Sequence, residues 1–159
     1  MKKTLFFAAI LASLIWTACN NNVIFEQEQK IQGARWNYAD TLNFSFDVSD
    51  TTFLYNLYLD FTYLDSFPHQ NLYLRLHTLF PDGKRAQKLR SFNLFDPSGN
   101  PLGKSSGHEM TLQTMLQENA YFKLPGTYTI TLEQYGRTDA LPGIQAVSMR
   151  VEKNGKRKQ

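Results

Sequence analysis

A strict alternation of apolar and polar residues is the feature that most limits what this chain can become. Leu42, Phe44, Phe46 and Val48 alternate with Asn43, Ser45, Asp47 and Ser49. A period of two puts each set on its own side of an extended strand. The pattern then repeats. Tyr55, Leu57, Leu59, Phe61 and Tyr63 oppose Asn56, Tyr58, Asp60 and Thr62, and Leu72, Leu74, Leu76 and Thr78 oppose Tyr73, Arg75 and His77. Turn-forming residues separate these runs: Ser49-Asp50, Phe67-Pro68, Pro81-Asp82-Gly83 and Asp96-Pro97-Ser98-Gly99.

Further strands are expected at Gln87–Phe95, paired with the preceding run across the Pro-Asp-Gly turn, at Thr127–Gln134 and at Ile144–Val151. Leu112, Met115 and Leu116 have helical spacing, which predicts one short helix over 109–117. The 12 Phe and 8 Tyr favour strands in general. Together these signals predict an all-β chain, an antiparallel β-sandwich of jelly-roll type with about 7–9 strands.

The first residues have a different logic. Lys2 and Lys3 precede an apolar run from Leu5 to Trp16, then the small residues Thr17 and Ala18, then Cys19, the only cysteine, followed by Asn20, Asn21 and Asn22. This is the layout of an export signal over 1–18. The apolar run of about 12 residues falls short of the ~20 that cross a bilayer. A single thiol has no disulfide mate within the chain. Its position right after the signal points to thioether attachment of a lipid at Cys19, with Trp16 at the place where a lipobox carries an aliphatic residue. On this reading 19–32 is a polar tether, with a first strand starting at Val23–Phe25. Residues 33–153 form the sandwich and 154–159 a basic, solvated tail.

Removing Lys2 and Lys3 brings the 17 basic residues nearly level with the 14 acidic ones. A near-neutral exported domain offers no electrostatic footprint for nucleic acid. Gly103-Lys104-Ser105-Ser106-Gly107 matches the nucleophile pattern G-x-S-x-G but lacks the strand-to-helix setting in which that serine works. The same segment misses a phosphate loop because Ser98 stands where the first glycine is required. His69, His77 and His108 fall in separate elements without metal-ligand spacing, and no cofactor motif is present. The expectation is a chain that is not an enzyme and carries neither metal nor cofactor.

Several loop signatures recur in a fixed order. They are Phe67-Pro68-His69-Gln70-Asn71-Leu72-Tyr73-Leu74, Phe80-Pro81-Asp82-Gly83-Lys84 and Asp96-Pro97-Ser98-Gly99-Asn100-Pro101-Leu102-Gly103-Lys104. Gly126-Thr127-Tyr128-Thr129, Glu133-Gln134 and a closing Val151-Glu152-Lys153 follow. In order and spacing the chain resembles the GldH family of gliding-motility lipoproteins of the Bacteroidetes, over nearly its whole mature length. The resemblance implies a cell-envelope lipoprotein, anchored through Cys19 on the outer membrane facing the periplasm. It also implies protein contacts with the gliding machinery and its linked secretion system. Tyr58 and Tyr73 are candidate contact aromatics. An envelope glycan-binding module is the alternative expectation, with aromatic rings stacking on sugars. Asp40-Thr41-Leu42 and Asp50-Thr51-Thr52 match the O-glycosylation acceptor pattern of that phylum, making Thr41 and Thr51 candidate sites.

Overall fold

The computed structural model describes residues 22–157, so the export signal and Cys19 lie outside the described residues. The alternating runs become strands β3 (Thr41–Val48), β4 (Phe53–Leu64) and β5 (Asn71–Leu79). The remaining strands are β1 (Val23–Lys30), β2 (Arg35–Asn37), β6 (Arg85–Asn93), β7 (Lys104–Ser106), β8 (Glu109–Ala120), β9 (Gly126–Gln134), β10 (Ala140–Pro142) and β11 (Ile144–Lys156). They form two main antiparallel sheets. The first has the order β1-β11-β4-β8-β7 and the second β3-β9-β5-β6, while β2 and β10 make a small ribbon. This is a β-sandwich with no closed barrel, as the alternation requires.

Inward-facing residues of both sheets make one core. Phe44 and Phe46 on β3, Leu72 and Leu74 on β5 and Ile130 and Leu132 on β9 meet Leu59 and Phe61 on β4 and Val147, Met149 and Val151 on β11, all buried. Burial of each such side chain contributes about 1.5–3 kcal/mol. At one end Phe46, Tyr55, Phe122 and Tyr128 pack ring to ring, the closest centroids 4.6 Å apart between Phe122 and Tyr128. At the other, the buried Tyr63 hydroxyl reaches the carbonyls of Leu94 (2.6 Å) and Leu102 (2.5 Å), fastening the 94–102 loop to the sheet.

Three sequence expectations are corrected. Residues 109–117 are not helical; they belong to β8, which pairs with β4 from Tyr63↔Met110 through Leu59↔Thr114. The inward row of β8 is Met110, Leu112, Thr114 and Leu116, and Thr114 satisfies its hydroxyl by donating to Leu59 O at 2.9 Å. Met115 points out and is 46% exposed. A threonine inside and a methionine outside mask the alternation.

The expected tether over 19–32 is also largely structured. From Val23 to Lys30 it is an edge strand on β11, with Phe25 opposite Val151 and Gln29 opposite Val147. It reads as polar because it rims the sandwich, and the Gln29 side-chain amide donates to the backbone of Asn43 on β3. The described part of the basic tail is not free. β11 runs to Lys156, the Lys153 ammonium lies 4.7 Å from the Phe53 ring, and the Arg157 guanidinium sits 4.3 Å above Tyr121.

Candidate functional site

The outer faces of the two sheets differ. On the first, Tyr58 is half-buried because the Arg150 guanidinium lies 4.6 Å over its ring, and Arg150 is itself held by Glu152 at 2.7 Å. Asp60 sits beside them, hydrogen-bonded to Gln113. Burial pushes its carboxyl above the usual range, against the opposing pull of that bond and of Arg150. One Asp60 oxygen, Oδ1, is buried without a hydrogen-bond partner.

The second sheet carries a polar ladder on its outer face. Ser45 bonds Thr129 at 2.9 Å, and Thr131 donates to Asn43 at 2.6 Å. Next to this ladder lies an open groove of about 1160 Å³, lined by Tyr38, Pro68, His69, Gln70, Asn71, Tyr73, Leu89, Tyr135 and Arg137 among others. Tyr38, Tyr73, Leu89 and Tyr135 are 42–51% exposed and make up half of the eight large apolar side chains exposed on the described surface.

Each wall of the groove has an identifiable cause. The apolar register of β9 runs Tyr128, Ile130, Leu132 and then breaks at Gln134, which is fully buried. Its amide is paired at both ends: Nε2 donates to Thr138 O at 3.1 Å, and Oε1 accepts from Gly136 N at 2.7 Å. A buried amide must be paired in this way, and the pairing shapes the 135–139 loop. Gly136 packs closely there: a Cβ would lie 2.9 Å from Gln134 Oε1 and 3.0 Å from Leu141 Cδ2, so a side chain would have to displace one of them. Tyr135 N donates to Tyr73 O at 2.8 Å and Tyr38 N to Asp139 O at 2.7 Å, so three chain segments set the tyrosines. The opposite wall is fixed by Gln70, whose carbonyl accepts from Leu94 N and Phe95 N and whose side chain donates to Asp96 O. His69 stands edge-on to Phe67, centroids 5.5 Å apart.

Arg75 lies 4.4 Å over the Tyr135 ring and 3.5 Å from Glu133. Glu133 Oε2 also lies 3.1 Å from His77 Nε2, without hydrogen-bond alignment. The groove therefore presents tyrosine faces and rims, one exposed leucine, side-chain amides and basic groups. Such a surface can bury a planar or apolar group while bonding polar atoms around it.

The structure disperses the other sequence candidates. Tyr58 and Tyr73 point from opposite outer faces. Ser105 lies in β7 and donates to Gly107 O at 3.2 Å, while His108 pairs with Asp65 at 3.0 Å. Its glycine pattern has a packing reason: Gly103 has φ +99°, and a Cβ there would fall 2.3 Å from Thr111 O. Thr41 is exposed at the start of β3 and Thr51 sits in the β3–β4 turn, beside Asp50, whose carboxylate the Thr52 hydroxyl holds below its usual range. Among the described residues no group of three or more His, Cys, Asp or Glu is placed to hold a metal.

Tyr38, Leu89 and Tyr135 escaped the sequence reading, and Gln134 entered it only as a strand end and within the Glu133-Gln134 signature, without its part in shaping the loop. Gln134 alone left a local signal, a polar residue in an apolar register.

An antiparallel sandwich with one open aromatic groove is the class of molecule that fold and site define. The chain belongs to the GldH lipoprotein family, whose model matches residues 23–151. It is 24% identical over 155 residues to a gliding motility lipoprotein GldH homolog of Christiangramia forsetii, covering 93% of this chain and 94% of that protein. It is 25% identical over 150 residues to the gliding motility lipoprotein GldH of Flavobacterium johnsoniae, covering 90% and 92%. Among solved structures, a carbohydrate-binding module specific for non-crystalline cellulose is similar with a TM-score of 0.42 and 15% identity, covering 82% of this chain and 73% of that one. Family membership makes this chain a gliding-motility lipoprotein, lipid-anchored in the cell envelope.

Proposed function

We propose that the protein is a non-enzymatic component of the gliding-motility machinery and its linked secretion system. It acts by protein–protein contacts made through the groove of the four-stranded sheet. One observation carries this reading: half of the large exposed apolar side chains converge on a single groove. Clustered tyrosines beside arginine are favoured interface anchors. The experiment is a photo-crosslinking amino acid at position 73, with position 58 as control, in native envelope. Position 73 is expected to yield a discrete polypeptide adduct and position 58 none. Adducts at neither position, or equally at both, would remove the groove from the reading.

The anchor in this reading is Cys19, with the domain on the outer membrane facing the periplasm. Only Asn20, Asn21 and Asn22 separate Cys19 from β1. Four Cα steps of at most ~3.6 Å give the link a reach of about 14 Å. The sandwich is then held close against the membrane surface instead of on a long tether. Labelling with a fatty-acid analogue tests this: the wild type takes up label and Cys19→Ala does not.

A second reading has its own observation. Gln70, Asn71 and Arg137 offer polar groups beside the three tyrosines, an arrangement suited to a glycan. A glycan array probed with the full chain decides it, since binding there that Tyr73→Ser abolishes would favour the sugar over the protein partner. Thr41 and Thr51 are the proposed O-glycan positions, and an intact mass of native protein without added sugar would reject them.

A further inference from the structure

The groove-bearing sheet has two edges, and they are treated differently. At one, β3 is approached by β1, whose Gln29 amide donates to the Asn43 carbonyl. At the other, β6 pairs with β5 alone, and no described strand lies beyond it. The bond from Leu94 N to Gln70 O sets the phase of that ladder. By antiparallel alternation the backbone groups of Arg85, Gln87, Leu89 and Ser91 then point away from the sheet. Those groups form a ready-made template for another strand.

The charge on this edge selects what can use it. From Gly83 to Phe95 there is no acidic residue, while Lys84, Arg85, Lys88 and Arg90 are basic. Lys84 is taken by Asp82 at 2.7 Å, and Arg90 donates to Leu116 O at 3.1 Å. Arg85 and Lys88 have no ion-pair or hydrogen-bond partner among the described residues and are exposed. A second β6 laid against this one would set like charges opposite each other, which is unfavourable. An acidic strand would meet complementary charge. Leu89, 51% exposed, belongs to both the edge and the groove, so an added strand would run alongside the tyrosines.

We propose that β6 is a docking edge for an acidic, extended segment of a partner polypeptide, which pairs with it as a fifth strand of the sheet. The inference rests on the protein-contact reading of the groove and names the chemistry of the partner. The mode is strand addition, in which main-chain hydrogen bonds give affinity and side chains give selectivity.

The test uses the full chain in detergent and three fluorescent eight-residue peptides: Val alternating with Glu, Val alternating with Lys, and the Glu peptide N-methylated at alternate residues. Fluorescence anisotropy is expected to show the Glu peptide binding at least about tenfold tighter than either other, and more weakly as salt rises. The double variant Arg85→Glu/Lys88→Glu should reverse the preference for charge. Leu89→Pro should abolish binding and leave the protein folded, because an edge tolerates proline where its N–H faces outward. No binding of the Glu peptide, equal binding of both charges, or undiminished binding of the N-methylated peptide would overturn the proposal. Self-association that the double variant abolishes would give the edge to a second copy and also overturn it. A lost adduct at position 73 with Glu-peptide binding retained would reject the groove and not the edge; the converse would reject only the edge.

Discussion

The two outer faces of this sandwich start from the same chemistry and end differently. Each carries a tyrosine in a strand with an arginine over an aromatic ring. On the five-stranded sheet Arg150 covers Tyr58, and Glu152 secures Arg150, so the aromatic surface is spent within the molecule. On the four-stranded sheet Arg75 covers only Tyr135, which remains 42% exposed, and Tyr73 and Tyr38 have no such cover. An aromatic residue on a sheet thus marks a contact surface only when its neighbours leave it open. Composition alone does not distinguish the two cases.

The comparison can be broken at its strongest point by Gln134→Leu. Removing the buried amide leaves Gly136 N and Thr138 O unpaired, which should cost about 1–3 kcal/mol. Denaturant unfolding measures the loss. Faster hydrogen exchange at Gly136 should accompany it, together with loss of the crosslink at position 73. An unchanged exchange rate would mean the loop is held by other contacts.

A smaller effect is expected for Tyr58→Ala, about 1 kcal/mol from the lost cation–π contact and its packing. Tyr73→Ala should cost less, within about 0.5 kcal/mol, since it is an exposed substitution. The pair of midpoints in urea makes the measurement, and equal losses would erase the distinction between the faces.

Asp60 sharpens the comparison through pH. Its carboxyl is raised by burial, so the folded state binds a proton more readily than the unfolded chain and the charged form opposes folding at neutral pH. Asp60→Asn should therefore stabilise the protein slightly at pH 7, by less than about 0.5 kcal/mol after solvent screening, and raise its melting temperature accordingly. The advantage should vanish as pH falls through the folded pKa to below the unfolded one. Thermal melts across that range report it, and a destabilised variant at pH 7 would show that the pairing of Asp60 with Gln113 and Arg150 outweighs its burial.

The smallest expected effect concerns His108. Its hydrogen bond to Asp65 raises the imidazole pKa, so its stabilising contribution is present at acid pH and is lost as pH rises through the folded value. His108→Gln should flatten the pH dependence of the midpoint without changing either outer face. A pH profile identical to wild type would show that the exposed pair contributes nothing.

The sequence showed the sandwich where apolar alternation was clear, in β3, β4 and β5 and in β9 as far as Leu132. It misled where an inward polar residue or an edge position interrupted the period. β8 reads as a helix because Thr114 is turned inward and Met115 outward. β1 reads as a tether because an edge strand is wetted along one side. The groove was partly legible through Tyr73 and the Phe67–Leu74 segment. Tyr38, Leu89 and Tyr135 come from separate elements and meet only after β2 pairs with β10 and β9 with β5.

The pairing of β1 with β11 has a mechanical consequence. The chain enters the sandwich at Val23 and is at once laid along seven register pairs of a strand that itself lies between β1 and β4. A pull along β1 from its N-terminal side loads those pairs together in shear, and they must yield as a group. The same pull directed across the sheet would peel them off one at a time. The entry strand is thus a mechanical joint whose strength depends on the direction of force.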